Sequence, residues 1–409
     1  MTAPRQHRPA HLYVHVPFCA RRCTYCDFSI AVRREPPVAA FLAALERELA
    51  RLEAPANPVT VYLGGGTPSS LGGEGIARLA ALLGLKGAPA EFTIEANPED
   101  VTPDAVRGWV RSGVNRLSLG AQSFDDAVLA WMHRTHRAAR IGEAVRAARQ
   151  GGIGNVSIDL IFALPDELGR DWRRDLEAAV GLEPDHVSLY GLTLEPGTAL
   201  FRRQERGELA ACSEQRYADE YLLAHERLAA AGYRFYEVSN AAHPGREAVH
   251  NRAYWTLAPY LGVGPSAHSF DGVSRWWNEP AYARWQRLLV EGRAPVAGRE
   301  ILGDHQRRLE QIYLGLRTSE GVGLPEPVAE PLGRQLARWV AAGWAVMESG
   351  SGPATTPAGD GMGNPEVRGA PTPERVAAEG PLVAVREPVR RVRLTPQGWL
   401  RLDELVATI

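Results

Sequence analysis

The sequence predicts an α/β fold, an incomplete (β/α)6 barrel carrying an α+β extension and a small C-terminal winged-helix-like module. Three observations lead there. Six times in the first 200 residues a short β-branched run is followed by a loop and then by helical periodicity. The runs end in glycine-rich or polar groups, as strands do in α/β barrels whose chemistry sits at the C-terminal strand ends. After Leu192 the alternation stops and longer helical and irregular stretches take over.

The strand runs are 12–16, 60–63, 91–95, 116–119, 156–162 and 186–192, and helical periodicity covers 38–52, 75–83, 103–112, 138–150 and 172–180. Alternating strand and helix imply parallel strands with right-handed crossovers, and six units leave a complete barrel unfilled. These units make a barrel core over 1–200, followed by an extension over 201–298 that contains a long helix over 213–232. The remainder, 299–409, is read as mainly helical from Arg299. It has helices over 307–316, 332–342 and 397–406, strands over 344–348 and 389–394, and a Gly/Pro/Ala-rich flexible insertion over 349–380. Four arginines there, Arg386, Arg390, Arg391 and Arg393, fit a solvated edge better than a DNA contact.

A chain of 409 residues has room for one large and one smaller domain, and its 45% hydrophobic and 23% charged residues are those of an ordinary globular protein. The net charge of -2 supplies no positive field for nucleic acid, which is not expected as a partner. With no apolar leader and no run long enough to span a bilayer, a cytoplasmic location is expected.

The first run leads into HVPFCARRCTYCDF, which holds three of the four cysteines, Cys19, Cys23 and Cys26, as C-x3-C-x2-C. Thiolates select zinc, copper(I) or iron–sulfur centres, and so short a loop wraps three of them around one face of a cubane. A structural zinc site closes with four protein ligands, whereas Cys212 lies 186 residues beyond Cys26 in a polar helical stretch and is assigned no chemistry. An iron–sulfur cluster with one open iron is the expectation; a zinc site or unrelated thiols are the alternatives.

Further along, Gly64-Gly65-Gly66-Thr67-Pro68 lacks the spacing and Lys-Ser/Thr tail of a nucleotide P-loop, yet consecutive glycines let a backbone approach a ligand closely. A plain βα turn is the other reading. Glu95, Gln122, Arg134 and Asp159 are polar residues that a barrel rim could gather, or ordinary solvated groups and caps. In the extension, HN-x2-YW sets His250 beside Tyr254 and Trp255, a combination suited to an axial haem ligand flanked by stacking rings.

Together PFC-x3-C-x2-CDF, GGGTP, the Gln122/Arg134/Asp159 set and HN-x2-YW resemble the radical S-adenosylmethionine (SAM) superfamily. Within it they are most similar to the haem chaperones of the coproporphyrinogen III oxidase-like branch. The resemblance implies a [4Fe-4S] cluster on Cys19, Cys23 and Cys26, whose open iron chelates SAM. It also implies SAM contacts from Tyr13, Tyr25, Gly65, Gly66, Thr67 and Glu95, and a second SAM at Gln122, Arg134 and Asp159. Haem would meet His250, Tyr254 and Trp255. Oxidases of the branch carry a further cysteine two positions on, where this chain has Phe28, and a longer extension than the eleven residues before the first run. The implied function is haem delivery to acceptor proteins such as membrane-associated respiratory enzymes, with a haem donor upstream and no turnover required. The alternatives are an oxygen-independent coproporphyrinogen III oxidase and a two-SAM radical methyltransferase or cyclopropane-forming enzyme.

Overall fold

In β1 (His11–Val16) Leu12, Val14 and Val16 are buried on one face while Tyr13 and His15 point to the other, the two-residue alternation of a strand inside a barrel wall. This strand opens a computed structural model that describes residues 9–325, 328, 330, 332–350 and 389–407. Two short strands, β2 (Phe18–Cys19) and β3 (Ala31–Val32), pair in parallel and pinch the base of the cysteine loop. Next come β4 (Thr60–Gly65), β5 (Glu91–Ala96), β6 (Arg116–Gln122), β7 (Asn155–Phe162) and β8 (His186–Gly191). They lie side by side with β1 in chain order and all run parallel.

The crossovers are α1 (Val38–Leu49), α2 (Gly72–Leu82), α3 (Pro103–Arg111), α4 (Asp126–Trp131), α5 (Ala138–Gln150) and α6 (Trp172–Val180). Their starts follow local chemistry. The Thr102 hydroxyl accepts from the Ala105 amide ahead of Pro103, and Asp125 and Asp171 cap α4 and α6 in the same way. Ile141, Ala144, Val145 and Ala148 give α5 its buried stripe.

The extension supplies α7 (Ala199–Glu205), α8 (Glu214–Ala230), β9 (Arg234–Glu237), β10 (Asn240–Ala242), α9 (Val249–Trp255), β11 (Tyr260–Val263), β12 (His268–Phe270), β13 (Ser274–Asn278), α10 (Tyr282–Val290) and β14 (Val296–Ile301). Its strands join the barrel sheet at both edges, β11 parallel to β1 and β10 antiparallel to β8. The result is one twelve-stranded sheet that ends at β14 and β9 and does not close on itself.

The C-terminal part runs α11 (Asp304–Arg317), β15 (Val322–Pro325), α12 (Leu332–Ala341), β16 (Ala345–Gly350), β17 (Val389–Leu394), α13 (Pro396–Trp399) and α14 (Leu402–Val406). Its three strands form an antiparallel sheet in the order β15-β17-β16. Among the described residues no helix is long and apolar enough to cross a membrane.

All six sequence-derived strands are present in the expected order. Three readings are corrected. The stretch after Arg299 is not simply helical, since β14 runs to Ile301 and β15 follows α11. The single last helix is two, because Arg401 leaves helical geometry (φ −116°, ψ 13°) between α13 and α14. Ser349 and Gly350 belong to β16 rather than to an insertion, and the rest of the proposed insertion, 351–380, lies outside the described residues.

Candidate functional site

At the upper ends of the parallel strands lies a cavity of about 370 Å³. Its wall includes Cys19, Cys23 and Cys26 from the loop after β1, Gly65, Gly66 and Thr67 from the end of β4, and Glu95 from β5. Tyr25, Gln122, Arg134 and Asp159 face the same space. Eleven of the residues expected at a ligand site thus meet in one place.

The glycine motif has a steric cause. Gly65 has φ +109°, and a Cβ there would stand 2.6 Å from the His15 imidazole. A Cβ on Gly66 would come within 2.7 Å of the Phe18 carbonyl, so side chains at either position would push the cysteine loop away from β4. Glu95 fixes this turn from below, accepting the Gly65 amide at 3.1 Å and the Tyr62 hydroxyl at 2.9 Å. Burial pushes its carboxyl up to about 7. At Gln122 the strand bulges between Leu119 and Gln122 and φ turns to 68°, which re-aims the side chain at the cavity.

The cysteines are free thiols held by different partners. Cys19 lies 3.3 Å from the Thr67 hydroxyl, and Arg134 donates to Cys23 Sγ at 3.7 Å. Burial pushes the Cys19 thiol up to about 11, and burial also raises that of Cys26. Among the described residues no three His, Cys, Asp or Glu side chains gather as one metal ion requires. A cubane instead takes each thiolate on a different iron, and three soft donors on one short loop facing a cavity fit it. Cys212 is not in this wall; its thiol points to the Ser213 carbonyl at 3.5 Å.

Sequence reasoning missed Asn97, Glu99 and Tyr190, which also line the cavity. The signal was available, since each lies at or just past the C-terminal end of β5 or β8. Glu99 is held down to about 2 against its burial by the His136 and Thr135 side chains.

Two groups of expected residues lie elsewhere. Tyr13 sits in the barrel interior, its hydroxyl 3.2 Å from His15 Nδ1 and its ring stacked on Tyr62. His250 is 1% exposed, with Nδ1 2.7 Å from the Thr60 hydroxyl and Nε2 2.9 Å from the Tyr254 hydroxyl. Burial holds its imidazole down at about 3, so it is neutral. Helix α9 thus lies across the lower ends of β4 and β5, where Glu91 accepts the amides of Val249 and His250 at 2.7 and 3.1 Å. Trp255 lies on the outer side under the Arg317 guanidinium, 4.3 Å from its ring centroid.

Comparison with known proteins agrees with this architecture. The sequence signature of the Radical SAM superfamily matches residues 13–179. The chain is 42% identical to the haem chaperone HemW of Mycobacterium tuberculosis over 335 residues, 79% of this chain and 85% of that one. It is 33% identical to HemW of Bacillus subtilis over 331 residues, 79% and 87% of the two chains. The coproporphyrinogen III oxidase HemN of Escherichia coli superposes with a TM-score of 0.76 at 23% identity, covering 98% of this chain and 91% of that one, a likeness of fold. A [4Fe-4S] cluster and SAM are the cofactors of this superfamily, and the cysteine loop with its glycine-lined cavity is where they fit. The chain belongs to the HemW family of radical SAM proteins.

Proposed function

We propose that this protein is a haem chaperone, which takes haem from a donor and passes it to acceptors such as membrane-associated respiratory enzymes from the cytoplasm. The observation that carries this reading is the 42% identity to a haem chaperone across 85% of that protein's length. Phe28, 59% exposed at the cavity wall where oxidases of the branch carry a fourth cysteine, supports it.

In this reading Cys19, Cys23 and Cys26 hold the cluster, while Gly65, Gly66, Thr67, Glu95 and Tyr25 hold SAM. The bound cluster would supply one-electron chemistry to SAM, and the chain's own groups orient the ligand and keep the cavity's floor polar. His250, Tyr254 and Trp255 are the proposed haem contacts. Since both ring nitrogens of His250 are engaged inside the barrel, ligation through Nε2 requires the Tyr254 hydroxyl to leave and α9 to lift.

A second reading, an oxygen-independent coproporphyrinogen III oxidase, draws on Gln122, Arg134 and Asp159 facing the cysteine cavity, where a second SAM could sit. One preparation separates the two. The cluster is reconstituted without oxygen, and haem binding and coproporphyrinogen III turnover are assayed with SAM and a reductant. Stoichiometric haem with no decarboxylated product is expected; catalytic protoporphyrinogen formation would overturn the chaperone reading. Replacing His250 with Ala should weaken haem binding about tenfold or more, roughly 1.4 kcal/mol, with iron content unchanged. Unaltered affinity would place the haem contact elsewhere.

A further inference from the structure

We propose that Arg134 is a positioning residue for the iron–sulfur cluster, its guanidinium donating to the Cys23 sulfur and setting the cluster's reduction potential. The inference rests on the cluster ligands and not on haem transfer.

Arg134 follows His133, whose φ of 60° turns the chain at the end of α4, and its amide is tied to the Leu129 carbonyl at 2.9 Å. Its Nη2 donates to Asn97 Oδ1 at 2.6 Å and to the Gly120 carbonyl at 2.8 Å. Those two acceptors lie past β5 and within β6, so the plane of the fork is fixed by two strands. Nη1 is left directed at Cys23 Sγ, 3.7 Å away. The Nε–H is buried with no protein partner.

The other two cysteines have different surroundings. Cys19 Sγ meets the neutral Thr67 hydroxyl, and near Cys26 the Arg22 guanidinium is spent on the backbone carbonyl. Among the described residues Arg134 is therefore the cation that donates to a cysteine sulfur. Arginine keeps its charge at every accessible pH. Reduction adds an electron to the cluster, and a fixed positive donor on a ligand sulfur favours the reduced form and raises the potential. Three of the side chain's five donors are already directed at protein acceptors, Asn97, Gly120 and Cys23, which distinguishes this role from that of a free contact for a second SAM.

The test compares wild type with Arg134→Gln, Arg134→Lys and Asn97→Ala, each reconstituted anaerobically and kept free of SAM. Iron content is measured, and the midpoint potential is read by EPR-monitored titration with dithionite. The expected result is full iron in all four. The potential of Arg134→Gln should be clearly more negative, with Arg134→Lys intermediate. Asn97→Ala should be displaced in the same direction although its charge is intact. An Arg134→Gln protein with full iron and the wild-type potential overturns the proposal. If its SAM stoichiometry then drops from two to one, the residue is a second-SAM contact instead. Should Arg134→Gln load no iron, the other two variants decide, and unshifted potentials in both overturn the proposal.

Discussion

His225 shows how a single partly buried ring makes the protein acid-sensitive. It stacks on Phe235 with centroids 3.5 Å apart and planes inclined by 15°, its Nε2 is buried without a partner, and burial holds its imidazole down at about 4 from the ordinary 6.5. The folded state thus binds fewer protons than the unfolded chain between pH 6.5 and about 4. Stability falls as pH drops through that window, by up to about 1.4 kcal/mol per unit from this group. A His225→Phe protein should accordingly gain on wild type as pH falls from 7 to 5 in urea denaturation. A difference that stays constant with pH would contradict the burial argument. The cysteines give a second residue-scale expectation. Substituting Ala for any one of Cys19, Cys23 or Cys26 should abolish the visible absorption of the reconstituted cluster. A mutant keeping full iron would remove that residue from the ligand set.

At the scale of elements, α9 depends on a side chain from another strand. The helix spans seven residues, too few to be stable by propensity, and its first amides are satisfied by Glu91 at the lower end of β5. Removing that carboxylate takes away both a cap and the charge that complements the helix N-terminus, about 1–2 kcal/mol together. Glu91→Ala should therefore speed amide exchange across Val249–Trp255 by roughly tenfold. Unchanged protection there would mean that the ring packing around His250 suffices. The cysteines, the glycine turn, Glu95, Gln122 and Asp159, read from the strand ends, share one cavity wall, because each belongs to a run whose pattern is local. Depth in the barrel was not legible. Tyr13 pairs in register with Tyr62, which pairs with Thr93 and then Arg116, while Glu95 and Ser118 lie one inward-facing layer higher. Each such layer is two residues, about 6.6 Å, and the stagger between neighbouring strands is set by contacts far apart in sequence. The strands of the extension escaped notice for a related reason. At three to six residues, with Trp, Arg and Asn mixed in, they carry too little alternation to stand out.

For the molecule as a whole, the described sheet of the C-terminal part makes a prediction about residues 351–388. Gly350 of β16 and Val389 of β17 are direct antiparallel partners, so the strands already stand where a two-residue turn would join them. Replacing 351–388 with Asn-Gly should give a protein that folds, loads its cluster and keeps wild-type haem affinity, with a melting temperature within a few degrees. A replacement that fails to fold would show that the excised residues pack on the rest of the chain.

The two ends of the barrel are separated by very little. Tyr62 donates its hydroxyl to Glu95 in the cavity wall, and the same ring lies 5.1 Å, centroid to centroid, from the imidazole of His250. One aromatic side chain thus holds a carboxylate of the upper chamber's wall from behind and packs against the imidazole carried by α9. Thermodynamic reciprocity then applies to it: whatever factor a ligand above imposes on displacing His250 below, a ligand below returns in equal measure. Through Tyr62 the two ends of the barrel are one side chain apart.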